Sequence, residues 1–278
     1  MIRYSDKSDI NDIIFLWKEA FGDSEEDIMF FIDNKYKSEN TIVYEANGKI
    51  ASMLFLLEGE MKIKNNWYPS YYLYAACTLN EYRGKGYMSL LLDFAKETAY
   101  KRGYYYICLL PASKSLYGYY EKYGYKPLFK KKILNISPER IEKKSDFTIT
   151  DCENLFQLRE NAFKNIDMFV WDRKSLDFAF EHHKFYGGQV INSCKGYMLY
   201  TVNNAKISVK EFCFTDVSGN LPSSFKDVKQ ISINLPAEYE VDSEDFEIVD
   251  SGMILAINNE AEELFEILKN PYLGLTLD

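Results

Sequence analysis

The sequence of 278 residues predicts an α+β protein built as two tandem domains, each a mostly antiparallel sheet flanked by helices. Three observations carry this. Asn47-Gly48 stands between alternating apolar runs, the strongest short-range signal for a hairpin. A long strand runs into a glycine-rich basic loop, then a helical pattern, then a buried strand. Beyond a polar stretch at 138–148 a similar order of elements returns without that loop, so the second domain reads as degenerate. The expected boundaries are 1–137 and 147–278.

Each element follows from local pattern. Ile2–Tyr4 is a short strand. Ser8 or Asp9 caps a helix carrying Ile13, Ile14, Leu16, Trp17 and Phe21 on its apolar face, and Gly22 ends it. A second helix covers Glu25–Tyr36. A second hairpin turn falls at Lys64–Asn66, and a strand runs over Tyr71–Leu79. Met88, Leu91, Leu92, Ala95 and Ala99 make one helical stripe, closed by Gly103. Tyr104–Leu110 is a buried strand broken by Pro111. A short helix, a turn at Gly124 and a strand near Leu128–Leu134 complete the first half.

In the second half helices are expected over Asp151–Phe163 and from Trp171 to the Gly187-Gly188 pair. Strands follow at Gln189–Ile191, Tyr197–Val202 and Ile207–Phe214. A short helix lies near Ser223–Lys226. Strands at Gln230–Leu235 and Met253–Ile257 and a helix at Glu260–Leu268 come last.

Composition narrows the function. Net charge is −9, which disfavours nonspecific nucleic-acid binding. The charge is uneven: residues 1–146 hold 22 basic and 20 acidic side chains, and residues 147–278 hold 11 and 22. A polyanionic ligand suits the first half and a cationic substrate the second, although a solvated acidic surface explains the second half as well. Five cysteines, widely spaced and without a CxxC, point to free thiols in a reducing compartment. The N-terminus has no apolar signal core and no run of about 18 apolar residues occurs, so a cytoplasmic protein without a membrane partner is expected. His182 and His183 are adjacent, face different ways on a helix and have no evident third ligand, so no metal site is expected.

The stretch Arg83-Gly84-Lys85-Gly86 opens the long helix. Amide groups at a helix start are unsatisfied and carry partial positive charge, and glycine lets a ligand approach them closely. A phosphate is the natural partner.

The loop and the later Tyr119–Pro127 segment, YYEKYGYKP, resemble the GCN5-related N-acetyltransferase superfamily, which binds acetyl-coenzyme A. Arg83, Gly86 and Met88 fill its R/Q-x-x-G-x-G/A pattern, Met88 replacing a small residue. The second segment is similar to F-Y-E-K-x-G-F, and Leu109–Ser113, LLPAS, precedes it. The likeness covers roughly residues 1–135. Trp171–Arg173, Gly196–Tyr200 and the ISVKEF strand resemble acetyltransferases of the enhanced-intracellular-survival type. Those carry a degenerate second domain of the same fold, which is expected here, and a third domain, which is not expected here.

The resemblance implies acetyl-CoA as cosubstrate. Gly84, Lys85, Gly86, Tyr87 and Met88 would cradle its pyrophosphate, with charge from Arg83 and Lys85. Backbone groups of Ala76 and Thr78 would face its pantetheine arm. Tyr120 would protonate the leaving thiolate, Tyr117 and Tyr119 being weaker alternatives. The base is open between Glu58, Glu60 and the chain end at Asp278. Residues 1–137 would then be the catalytic domain, and 147–278 a GNAT-like domain contributing to a substrate cleft. The expected activity is N-acetylation of a small, cationic amine. The alternatives are an acyl-CoA sensor without turnover, and a transferase with another acceptor or a longer acyl group.

Overall fold

A computed structural model describes residues 1–141, 155–193, 195–214, 217 and 221–277. In chain order its elements begin with β1 (Ile2–Tyr4), α1 (Ile10–Phe21), α2 (Glu25–Lys35), β2 (Thr41–Ala46), β3 (Lys49–Ile63) and β4 (Asn66–Thr78). Then come α3 (Tyr87–Lys101), β5 (Tyr106–Leu109), α4 (Lys114–Glu121) and β6 (Lys130–Ile136). They are followed by α5 (Leu155–Ala162), β7 (Met168–Val170), α6 (Arg173–Phe185), β8 (Gln189–Ser193), β9 (Gly196–Asn203) and β10 (Lys206–Cys213). The last are β11 (Gln230–Pro236), β12 (Phe246–Asp250), β13 (Met253–Ala256) and α7 (Asn259–Glu263).

The chain folds as two compact units. One comprises Met1–Met61, Tyr68–Lys126 and Met253–Ile267, and the other Lys62–Trp67, Pro127–Gly252 and Leu268 onward. This differs from a single cut over 138–146. The chain changes unit after Lys126, β6 joins the second sheet, and β13 returns to the first. Strand pairing at a distance decides this, and local pattern does not carry that information.

In the first unit the strands lie in the order β1-β2-β3-β4-β5-β13. Strands β4 and β5 are parallel, while β13 runs antiparallel to β5 with Ile254 opposite Cys108. The β2–β3 turn has Asn47 at φ 54° and Gly48 at φ 74°, and Lys64 and Asn65 are also left-handed at φ 45° and 66°. Such turns match the twist of paired strands. Helix α1 buries Ile13, Leu16 and Trp17, and Gly22 at φ 78° closes it. Ser24 and Asp27 form a capping box that starts α2. Trp17 from α1 and Phe31 from α2 pack on Phe55 and Tyr74 of the sheet, with ring centroids 5.0–5.7 Å apart. A second core joins the sheet residues Leu54, Leu56, Tyr71, Leu73, Ile107 and Leu109 to Leu91, Leu92 and Ala95 of α3 and Tyr120 of α4. Met253, Leu255 and Ile257 belong to that core too.

The second unit holds a sheet ordered β12-β6-β11-β10-β9-β8, with β10 and β11 parallel and the other pairs antiparallel. Strands β7 and β12 were not expected from the sequence; β7 is only three residues long, and β12 has little apolar alternation. Arg159 of α5 meets Glu211 of β10 in an ion pair 3.0 Å long, with side chains 4% and 0% exposed. Tyr197 Oη donates to Glu211 Oε2 at 2.5 Å. The chain end packs beside this pair: Gly274 is left-handed at φ 77°, and a Cβ there would overlap the Arg159 guanidinium. Trp171 Nε1 donates to the Leu275 carbonyl at 2.7 Å, and Leu273, Leu275 and Leu277 are buried. The tail is thus docked through Leu277; Asp278 lies outside the described residues. So do Cys152, Cys194 and the first residues of the helix expected from Asp151.

Candidate functional site

Strand β4 fixes the site. It pairs with β5 from Ser70↔Tyr106 to Tyr72↔Cys108, and there the pairing ends. Three residues on, Ala75 takes φ 47°, a left-handed conformation unusual for alanine inside a strand. The kink lies three residues beyond the last residue of β4 paired with β5, where the backbone groups of β4 on that side are not used by this pairing. Ala76 follows the kink, half-buried against the α3–α4 core. Ala75 carries the geometry, and nothing in an Ala-Ala pair announces a positive φ.

The end of β4 is tied down. Ser52 Oγ of β3 donates to the Cys77 carbonyl at 2.9 Å and shares a hydrogen bond with Thr78 Oγ1 at 2.8 Å. Arg83 Nε donates to the Thr78 carbonyl at 3.1 Å. That oxygen, expected to face a ligand, is engaged by the chain itself, and Arg83 braces the loop through one of its nitrogens.

The loop then turns twice through left-handed glycines, Gly84 at φ 78° and Gly86 at φ 80°. At both, the space a Cβ would occupy has no other atom within 4 Å. Gly86 is the N-cap of α3 and supplies no side-chain cap, and the first helical bond runs from Leu90 N–H to the Gly86 carbonyl at 3.2 Å. The amides of the first turn are therefore open to a ligand. Lys85 lies with Nζ 4.7 Å over the Tyr82 ring, and Tyr87 stacks on Tyr44 at 3.9 Å. These contacts direct both side chains sideways. Met88 packs against the α3–α4 core, so its bulk is accommodated inward.

Helix α4 brings in the tyrosines. Tyr120 is 8% exposed and sits in the same core as Ala76 and Met88. Burial, with a smaller contribution from Cys77, pushes its hydroxyl up to about 12. It is thus a neutral proton donor throughout the ordinary pH range. Tyr119 is also pushed up, by burial and by its bond to Tyr123, whose hydroxyl bonds Ser89 Oγ in the first turn of α3. Tyr119 therefore belongs to a hydroxyl chain that joins the two helices.

Glu58 lies on β3, forms an ion pair with Lys37, and keeps a side chain 43% exposed. Glu60 is exposed. Burial pushes the thiols of Cys77 and Cys108 up, which keeps them protonated and inert as nucleophiles. His183 is buried, with Nε2 3.2 Å from the carbonyl oxygens of Gln189 and Tyr200. Among the described residues no group of three His, Cys, Asp or Glu side chains is arranged to hold a metal ion, and no helix is long and apolar enough to cross a membrane.

Residues 1–128 match the model of the acetyltransferase (GNAT) domain. No curated protein matches the sequence. A probable N-acyltransferase of Enterococcus faecalis V583 has the same fold, with TM-score 0.75 and 14% identity over 94% of this chain and 73% of that one. So has a GCN5-related N-acetyltransferase of Anabaena variabilis, with TM-score 0.74 and 14% identity over 93% and 73%. Eis1 of Mycobacterium abscessus aligns with TM-score 0.68 and 12% identity over 94% and 75%. Residues 1–128 are thus a GNAT acetyltransferase domain.

Proposed function

We propose that the chain transfers an acetyl group from acetyl-CoA to a small, cationic amine by direct attack of the amine on the thioester. One observation carries the reading. Ala76 beside the Ala75 kink, Met88 in the uncapped first turn of α3 and the buried Tyr120 all pack into one core. The amides of Gly84, Lys85, Gly86, Tyr87 and Met88 would hold the pyrophosphate, and the fit rests on two left-handed glycines with clear space above them. Backbone groups of Ala76 and the Thr78 amide would take the pantetheine, the Thr78 carbonyl being used by Arg83. A backbone N–H of β4 would polarise the thioester carbonyl.

An alkylamine, with a pKa near 10.4, must lose a proton before it attacks. Glu58 would serve as base once released from Lys37. Asp278 is the other candidate, one residue beyond the docked Leu277. Tyr120 then gives its hydroxyl proton to the departing thiolate. The excess of acid after residue 146 favours a cationic acceptor. Buried free thiols at Cys77, Cys108 and Cys213 suit a cytoplasmic setting.

Calorimetry with coenzyme A, followed by thiol release from acetyl-CoA across a panel of primary amines, tests the reading. Binding with turnover supports it. Binding without turnover on any amine would make the chain a sensor, and no binding would remove the site altogether.

A further inference from the structure

Tyr125 stands directly after the left-handed turn at Gly124, φ 86°. Its N–H donates to the Tyr120 carbonyl at 3.3 Å, and the two rings meet edge to face with centroids 5.6 Å apart. Main chain and ring contact therefore fix one phenol against the other. Among the described residues the Tyr125 hydroxyl is the buried side-chain polar atom with no hydrogen-bond partner in the protein. Burying a hydroxyl unpaired is costly, and phenylalanine would fill the same volume without that cost. The motif this segment resembles has phenylalanine there. The extra oxygen therefore needs a reason outside the resting fold.

Cys108 of β5 acts electrostatically on Tyr125 and Cys77 of β4 on Tyr120, and the Tyr119 ring packs edge to face on Tyr120 with centroids 5.3 Å apart. Burial pushes Cys77, Cys108, Tyr119, Tyr120 and Tyr125 upward, so each of these groups is neutral at neutral pH. In the proposed reaction the Tyr120 O–H bond breaks and an S–H bond forms on the leaving thiolate, moving one negative charge from sulfur to the phenol oxygen. A thiol near 8.5 is a stronger acid than a phenol at about 12, so the transfer runs uphill. A dipole that turns toward the new charge lowers that hill, and it acts only when the charge appears.

We propose that Tyr125 is a positioning residue for Tyr120: its O–H, which no described group of the protein bonds, turns its dipole toward the Tyr120 oxygen as that atom becomes negative. This rests on Tyr120 being the acid.

Tyr125→Phe tests it in two backgrounds, with Tyr120 intact and with Tyr120→Phe. Melting of the ligand-free protein and thiol release from acetyl-CoA with primary amines are the readouts. Tyr125→Phe melts no lower than the parent, loses about tenfold in kcat with KM for acetyl-CoA unchanged, and has no further effect once Tyr120 is Phe. A melting point several degrees lower, or loss of the fold, would show that the hydroxyl is structural and overturn the inference. An unchanged kcat, or an equal loss in both backgrounds, would do the same. If Tyr120→Phe leaves thiol release intact, the acid assignment fails and this inference fails with it. If Tyr120→Phe suppresses release while Tyr125→Phe does not, only this inference fails.

Discussion

The two units solve one architectural problem in opposite ways. Each sheet has one parallel pair along its strand order, β4 with β5 and β10 with β11, and in each the leading strand continues beyond the last paired residue. In the first unit the crossover between the strands carries the 15-residue helix α3, its start left uncapped, and β4 kinks at Ala75 beside it. In the second the crossover carries a five-residue 3-10 helix, Ser223–Asp227, and has no glycine-rich loop. Past its last pairing with β11, β10 buries Glu211 against Arg159, next to the unit's own C-terminal tail. One unit leaves the first amides of α3 uncapped, and the other places a buried ion pair beyond the end of its parallel pairing. The lesson is that a shared fold does not carry a site; the loop and the pairing of a few backbone groups do.

The sharpest way to break the comparison is to end the chain at Ser137, which removes β13 from the first sheet. That shortened chain loses the strand paired with β5 and the buried side chains of Met253, Leu255 and Ile257. At about 1.5–3 kcal/mol for each buried side chain, the loss approaches the whole stability of a typical domain. Residues 1–137 alone are expected to stay unfolded by circular dichroism. A cooperative melt from that fragment would refute the interleaved arrangement.

Glu211→Ala comes next. Removing one partner strands a buried guanidinium, at a cost of about 3–5 kcal/mol, read from denaturant midpoints. Tyr120→Phe addresses the first unit in turn. It should lower kcat by about 10²–10⁴ in the thiol-release assay and leave the melting point nearly unchanged. Gly86→Ala forces a side chain into the left-handed region, costs about 1–2 kcal/mol and weakens coenzyme A binding in calorimetry.

The smallest effect is on pH dependence. Burial holds His183 below the ordinary histidine value of about 6.5, so the folded protein binds fewer protons there than the unfolded chain. Its contribution is present above that value and is lost as pH falls through the depressed folded one. His183→Gln should flatten the decline of stability on the acid side, followed as melting temperature against pH.

Much of this molecule was readable before folding, because local chemistry encodes local geometry. The Asn47-Gly48 turn, the Gly22 helix end, the apolar stripe of α3 and the glycine-basic loop all rest on preferences of a few neighbouring residues. Tertiary structure alone decided the rest. It placed β13 beside β5, set Ala75 in a left-handed kink, turned Arg83 back onto Thr78, and buried Arg159 against Glu211. Each of these joins residues apart in sequence, or imposes a conformation that the residue does not itself prefer. The free energy that selects them comes from packing and from satisfying buried polar groups, and it exists only once the chain has closed.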